Sequence, residues 1–343
     1  MRAWISCGML VISMLAACSA RPAAPAWTRI TLPGGERATL RDAAACGDRW
    51  YVVGAVPDGD DTRPAAWSSP DTVTWTPVTF APLPDSFYGP HEVISTVACA
   101  GDRVTMLGGA PGGAHGNLRI STWRRLPDGR MAENPAPFAT YGGDTAVDTE
   151  HLAAGPAGFA VAGNRSSGAA AWLSPDGAGF RLFENAPGLA GPGTAARDAV
   201  PLPTGGWAVL GSRNGHAAAW ITVDGSRWTG DDPPAAGGFT ELQRGIPDGA
   251  DLLAIGPHDR RLAVWRRHDG TWSALGDFGT APTGVASLTR ANGRFIAAGD
   301  GLWSSVDARR WRAVDVPENI VAVAGRDRLL LAVAAGTLYV TTP

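Results

Sequence analysis

Residues 50–54 read Trp50-Tyr51-Val52-Val53-Gly54; thirteen positions past the glycine stands Trp67, followed by Ser69-Pro70-Asp71-Thr72-Val73-Thr74-Trp75. The first run is too short for a helix, is rich in β-branched and aromatic residues and is bounded by turn formers, so it predicts a buried strand. Trp67 and Trp75 bracket residues that tolerate a tight turn, which predicts a hairpin. Both features recur along the chain. Short apolar runs end at Gly54, Gly108, Gly163, Gly211, Gly256, Gly299 and Gly336, and an aromatic follows each, at Trp67, Trp123, Trp172, Trp220, Trp265, Trp303 and Tyr339. Two independent markers therefore count to seven. A further strand precedes each glycine run, as at 41–46 and 92–99, so each unit holds four antiparallel strands. Units of this size, repeated without helices, predict an all-β fold: a seven-bladed β-propeller of four-stranded antiparallel blades.

The seventh unit has only three strands, because Val340-Thr341-Thr342-Pro343 ends the sequence after Tyr339. Near the other end, Trp27-Thr28-Arg29-Ile30-Thr31-Leu32-Pro33 has the pattern of a fourth strand, like Trp311-Arg312-Ala313-Val314-Asp315-Val316-Pro317. The expectation is that this N-terminal strand completes the last blade and leaves no open sheet edge at the seam.

Ahead of it, Arg2, an apolar stretch over 9–15 and Leu15-Ala16-Ala17-Cys18 predict an export signal with a lipobox. The resulting division is a signal over 1–17, a lipidated and short tethering segment over 18–26, and the propeller over 27–343. This segment resembles the bacterial lipoprotein signal, which implies a diacylglycerol thioether on Cys18 and an extracytoplasmic protein anchored to the cell membrane. The apolar stretch is shorter than the roughly 20 residues needed to span a bilayer. Cys7 falls within the signal, leaving Cys46 and Cys99 at nearly equivalent places in successive repeats. In an oxidising compartment they are expected to form a disulfide between neighbouring blades, two buried free thiols being the alternative.

With net charge −3, no lysine among 29 basic residues and no basic run, the chain lacks the electrostatic footprint of a nucleic-acid binder. The histidines His91, His115, His151, His216, His258 and His268 are scattered without zinc-binding spacing. Phosphate-loop, dinucleotide and Gly-x-Ser-x-Gly fingerprints are missing. Asp58-Gly59-Asp60-Asp61 reads as a polar hairpin tip and lacks the ligand series of a calcium loop. No metal and no cofactor is expected.

The turn segments at 69–75, 174–180, 222–228 and 305–311 share a Ser or Thr, an Asp two positions on, and an aromatic four positions after the Asp. They resemble the Asp-box of BNR-repeat propellers, the group that includes sialidases, although the usual box spaces Asp and aromatic by one residue more. The resemblance implies a propeller fold. A sialidase-like glycosidase would in addition need an arginine cluster and a tyrosine nucleophile paired with a carboxylate. The available tyrosines are Tyr51, Tyr88, Tyr141 and Tyr339.

Two places qualify as candidate sites. The long loops at 80–91, 110–117 and 133–150 should emerge on one face and carry Phe87, Tyr88, His91, His115, Phe138 and Tyr141, a candidate binding face over blades 1 to 3. Aligning the innermost strands on the glycines places Arg41, Asp42, Glu150, His151, Asp198 and Arg244, with Ser95, Thr96 and Gln243, at the central channel. These features predict a non-catalytic binding or interaction module for an envelope protein or glycan. The alternative is a sialidase-like or other carbohydrate-active enzyme.

Overall fold

The computed structural model describes residues 26–112, 118–234, 237–280 and 282–343; Cys18 and His115 lie outside them. Seven sheets, each built on four antiparallel strands, follow one another around a ring. Their innermost strands are Thr39–Cys46, Val93–Ala100, Ala146–Gly155, Thr194–Pro201, Arg244–Asp248, Val285–Ala291 and Ile320–Arg326. Each lies beside the next, and the last lies beside the first. Blade 2 carries one extra strand, Phe80–Ala81, which pairs in parallel with Met131–Glu133.

The ring closes as the sequence predicts. Thr28–Ile30 pairs antiparallel with Leu338–Thr341, in the register Thr28 with Val340, Arg29 with Tyr339 and Ile30 with Leu338. The flanking residues lock this pairing. Trp27 packs edge-on against Tyr339 at 6.4 Å, and its indole N–H donates to the Asp315 carbonyl at 2.8 Å. Leu32 is buried, and the Pro33 carbonyl accepts from Trp67 Nε1 at 2.9 Å.

The aromatic markers have a common task. Among the described residues there are seven apolar clusters, each lying between two neighbouring blades, and every cluster contains one marker. Trp67 fills the junction of blades 7 and 1, Trp123 that of blades 1 and 2, and Tyr339 that of blades 6 and 7. A large ring on the third strand thus buries itself against the preceding blade and supplies much of the interblade contact.

The glycine markers answer a different need. Each innermost strand carries an extra residue, a β-bulge, at Arg41, Ser95, Glu150, Arg197, Ala286 and Val321, and that of blade 3 has a second at Val147. In blade 5 it is Gln243, whose N–H donates to Ile255 O beside Arg244, the pairing partner of Ile255. The bulge brings a carbonyl of the innermost strand down onto the second strand. A Cβ on Gly54, Gly163, Gly211, Gly256 or Gly299 would collide with the carbonyl of Thr39, Asp148, Ala195, Glu241 or Gly284 respectively. Blade 7 departs from the sequence reading: the residue opposite Ile320 is Ala334, so Gly336 is a turn residue and not the equivalent of the other six.

The four Ser/Thr-x-Asp hairpins adopt one geometry on the face opposite the long loops. The hydroxyl of Ser69, Ser174 or Thr222 accepts the N–H of the third residue on, at 2.8–2.9 Å, and Asp71, Asp176, Asp224 and Asp307 each accept the N–H two residues on, at 2.9 Å. The turn needs a positive φ at Thr72, Gly177, Gly225 and Ala308. Hydrogen bonds to the charged form hold all four carboxylates below the usual Asp range: backbone N–H groups lead at Asp71, Asp176 and Asp307, and Ser226 Oγ at Asp224. Their folded pKa is depressed, so the stability they supply is present above the ordinary Asp value and is lost as pH falls below it. Thermal melts from pH 5 to pH 2 should show a steep loss below about pH 4, reduced in a variant carrying Asn at all four positions; an unchanged acid limb would show that these caps contribute nothing.

Candidate functional site

The long-loop face gathers four of the six residues expected there. Phe87, Tyr88, Phe138 and Tyr141 line one cavity of about 490 Å3 between blades 2 and 3, within the range of small-molecule sites. The loop over 82–92 turns at Leu83, where Ser86 N–H donates back to the Leu83 carbonyl at 3.0 Å, and ends in the short helical turn Gly89–His91. The loop after blade 2 contains the single helical turn Phe138–Tyr141. Its two rings divide the labour: Tyr141 is buried and stacks on Trp172 at 6.0 Å, while Phe138 stays 63% exposed. His91 is not part of this cavity; it stands behind Phe87, with its carbonyl accepting from Thr62 Oγ1 at 2.8 Å.

Two contributors could not be singled out from sequence. Arg119, from the third strand of blade 2, lies over the Phe138 ring at 4.7 Å and over the Tyr88 ring at 5.7 Å. Glu133, at the end of the fourth strand, accepts from Leu83 N–H at 3.0 Å and from the Ser86 and Ser121 hydroxyls at 2.9 Å, which pins the loop to the blade. From blade 3, buried Arg165 donates to the carbonyls of Tyr141 and Gly142 and to Thr145 Oγ1 while pairing with Glu184 at 2.9 Å, so the far wall is fixed as well. Two glycines let the backbone close on the rings: a Cβ at Gly112 would strike Tyr88, and one at Gly142 would strike Phe138.

Behind the cavity, Glu92 is fully buried. One oxygen accepts from Trp123 Nε1 at 2.9 Å and the other has no partner among the described residues. Burial pushes its pKa up to about 7. Between the ordinary value of 4.5 and about 7 the unfolded chain is ionised at this residue and the native chain is not, so stability falls as pH rises across that window. The difference amounts to about 3 kcal/mol. Glu92→Gln keeps an acceptor for Trp123 and should remove this slope between pH 4.5 and 7 in urea denaturation; equal slopes in the two proteins would contradict the assignment.

The channel residues are brought together by the bulges. His151 Nδ1 lies 2.7 Å from Asp198 Oδ1, whose carboxylate also accepts the N–H groups of Ala199 at 2.8 Å and Gly245 at 2.9 Å. Asp42 accepts the Val97 N–H at 3.0 Å, and with His151 it lines a cavity of about 270 Å3. Burial raises its pKa, against the pull of His151, the backbone N–H groups and Arg244. Arg244 donates to the carbonyls of Ala286, Gln243 and Arg197 and so binds three blades together. Arg197, the bulge residue of blade 4, pairs with Glu150 and with Glu241. Arg41 is exposed. None of the four tyrosines lines this cavity: Tyr51 and Tyr339 are buried between blades, and Tyr88 and Tyr141 belong to the cavity of blades 2 and 3.

A larger groove of about 830 Å3 lies at blades 3 and 4, where Asn164 donates to Asp148 at 2.7 Å and to the Ala196 carbonyl at 3.1 Å. Cys46 and Cys99 are joined by a disulfide between blades 1 and 2, with a Cα–Cα distance of 5.5 Å.

No family model and no curated protein matches the sequence. The structure is similar to virginiamycin B lyase from Staphylococcus aureus, with TM-score 0.66 and 10% identity over 93% of this chain and 99% of that one. It is similar to YCF48 from Cyanidioschyzon merolae, with TM-score 0.57 and 13% identity over 93% and 98% of the two chains, and to YCF48 bound to D1 peptide, with TM-score 0.60 and 16% identity over 94% and 98%. At such identities the likeness is one of fold, and the chain shares with these proteins the architecture of a β-propeller.

Proposed function

We propose that this chain is a non-catalytic binding module of the cell envelope, held at the membrane by a lipid on Cys18 and engaging an envelope component through the cavity of blades 2 and 3. The observation that carries the reading is the convergence of Phe87, Tyr88, Phe138 and Arg119, from two loops and one strand, into a concave site with fixed walls. Such a site is built to recognise a partner, and the fold presents it on the loop face, where binding residues usually stand. A propeller of similar shape has been solved with a peptide bound.

The test is capture from solubilised envelope with the wild-type chain and with Phe87→Ser/Phe138→Ser. A component retained by the first and lost from the second supports the reading; an identical set from both, or none from either, overturns it. Cys18→Ala should shift the protein from the membrane to the soluble fraction and remove the lipid mass, and a variant still sedimenting with membranes would reject the anchor.

A catalytic alternative rests on the channel, where the Asp198 carboxylate orients His151 as a general acid–base pair would require. With no tyrosine at the channel, a sialidase-like mechanism loses its nucleophile. A hydrolytic or eliminating activity towards envelope glycans that disappears in His151→Ala would favour this alternative.

A further inference from the structure

We infer that the cavity between blades 2 and 3 takes an aromatic carboxylate, its ring against Phe138 and Tyr88 and its carboxylate on the guanidinium of Arg119. This rests on the binding-module reading and specifies the ligand's chemistry.

The cation comes first. Arg119 is clamped between two aromatic faces, and its Nε is shut off from solvent with no hydrogen-bond partner among the described residues. Nε is therefore out of a ligand's reach, and the terminal nitrogens, which make no hydrogen bond with a described residue, are the donors left for one. Unlike Arg165, Arg197 and Arg213, Arg119 forms no ion pair with a described carboxylate. The nearest acidic groups do not answer this charge. Glu133 spends both oxygens on Leu83, Ser86 and Ser121, and Asp85 stands exposed at the lip. An anion with planar geometry, able to accept two parallel N–H bonds, is the partner that a fixed guanidinium fits.

The remaining surface selects what the anion is attached to. Phe87 and Phe138 are 73% and 63% exposed, Leu118 is 57% exposed, and all three line the cavity with Tyr88. Large apolar side chains gathered at a concave site mark a surface that is covered in use. Of the polar side chains beside them, Ser86, Ser121, Glu133 and Asn134 are already taken, which leaves the Tyr88 and Tyr141 hydroxyls, Asp85 and Arg119 itself. Ser86 and Ser121 donate to Glu133, and Asn134 donates to Thr122 Oγ1 at 3.1 Å and to the Gly177 carbonyl at 2.8 Å while accepting from Arg124 at 2.6 Å. A sugar ring would bring several hydroxyls to a place with few free partners, and each unpaired hydroxyl would cost binding. An aromatic ring makes no such demand, and it can meet the Phe138 and Tyr88 rings edge-to-face or offset-stacked.

The experiment is calorimetric titration of the full chain with 2-naphthoate, the neutral 2-naphthamide and glucuronate, repeated on Arg119→Gln, Arg119→Lys and Phe138→Ala. All three substitutions lie at a partly open site, and thermal melts establish that each variant is folded. The expected result is binding of 2-naphthoate that weakens at least tenfold for 2-naphthamide and for Arg119→Gln. Arg119→Lys should recover part of the loss through charge alone, and Phe138→Ala should weaken both naphthyl probes. Equal binding of 2-naphthoate and 2-naphthamide, or an unaffected Arg119→Gln, would overturn the carboxylate anchor while leaving the envelope capture result standing. Glucuronate binding more tightly than 2-naphthoate would overturn the aromatic assignment. No binding of either naphthyl probe to the wild-type chain would overturn the inference as a whole, and capture of a component dependent on Phe87 and Phe138 would then show that the site serves some other ligand.

Discussion

A chain beginning at residue 34 is expected to lose its cooperative fold, not merely to fray at one blade. The segment removed contributes the whole fourth strand of blade 7, Thr28–Ile30, together with Leu32 in the cluster shared by blades 7 and 1 and Trp27 on the Tyr339 ring. Truncating one buried leucine alone costs roughly 2–5 kcal/mol. Adding the ladder hydrogen bonds and the Trp67–Pro33 contact brings the loss to the order of the entire stability of a typical domain. A ring has no spare interface over which to spread that deficit, because blade 7 is a wall for both blade 6 and blade 1. Urea titration followed by tryptophan fluorescence should show a cooperative transition in the full chain and none in the truncated one. Leu32→Ala provides the graded control, with a loss of about 2–4 kcal/mol. A truncated protein with the melting point of the intact one would refute the closure as a stabilising device.

The second large effect is expected at the disulfide. Cys46 and Cys99 close a loop with a sequence separation of 53 residues, for which the chain-entropy relation gives about 4 kcal/mol. The bond ties blade 1 to blade 2 on the face opposite the long loops. Replacing both cysteines by alanine should therefore lower the stability by about 4 kcal/mol and steepen the denaturant dependence, because the unlinked chain exposes more surface on unfolding. A difference below about 1 kcal/mol would mean that the unfolded chain gains little freedom from losing the link.

Most of the architecture was legible because its devices are local and repeated. The rings at Trp67, Trp123 and their counterparts each fill one interblade junction, and Gly54, Gly163, Gly211, Gly256 and Gly299 each relieve one clash with a bulged strand, so residue type alone marks position. Gly336 misled because blade 7 meets the same steric demand with Ala334 opposite Ile320. Of the residues the sequence placed at the channel, Asp42 and His151 line the central cavity, and Arg197 was passed over. Arg197 sits at the bulge just before Asp198, and an alignment that assigns one channel residue where the bulge supplies two passes over it. The candidate binding cavity was legible only in its aromatics, which the long loops advertised. Arg119 and Glu133 come from regular strands of blade 2, and only the tertiary folding of the loops over those strands turns ordinary surface positions into the floor of a site. His91 belongs to the same loop as Phe87 and Tyr88, yet the helical turn Gly89–His91 carries it round towards Thr62.

The pairing of Thr28 with Val340 also fixes the order of events during biosynthesis. Thr28–Ile30 finds its partner only when Leu338–Thr341 has emerged, so blade 7 is the last of the seven to be completed. Contacts so distant in sequence are slow to form. The ring consequently stays open until Leu338–Thr341 has been made.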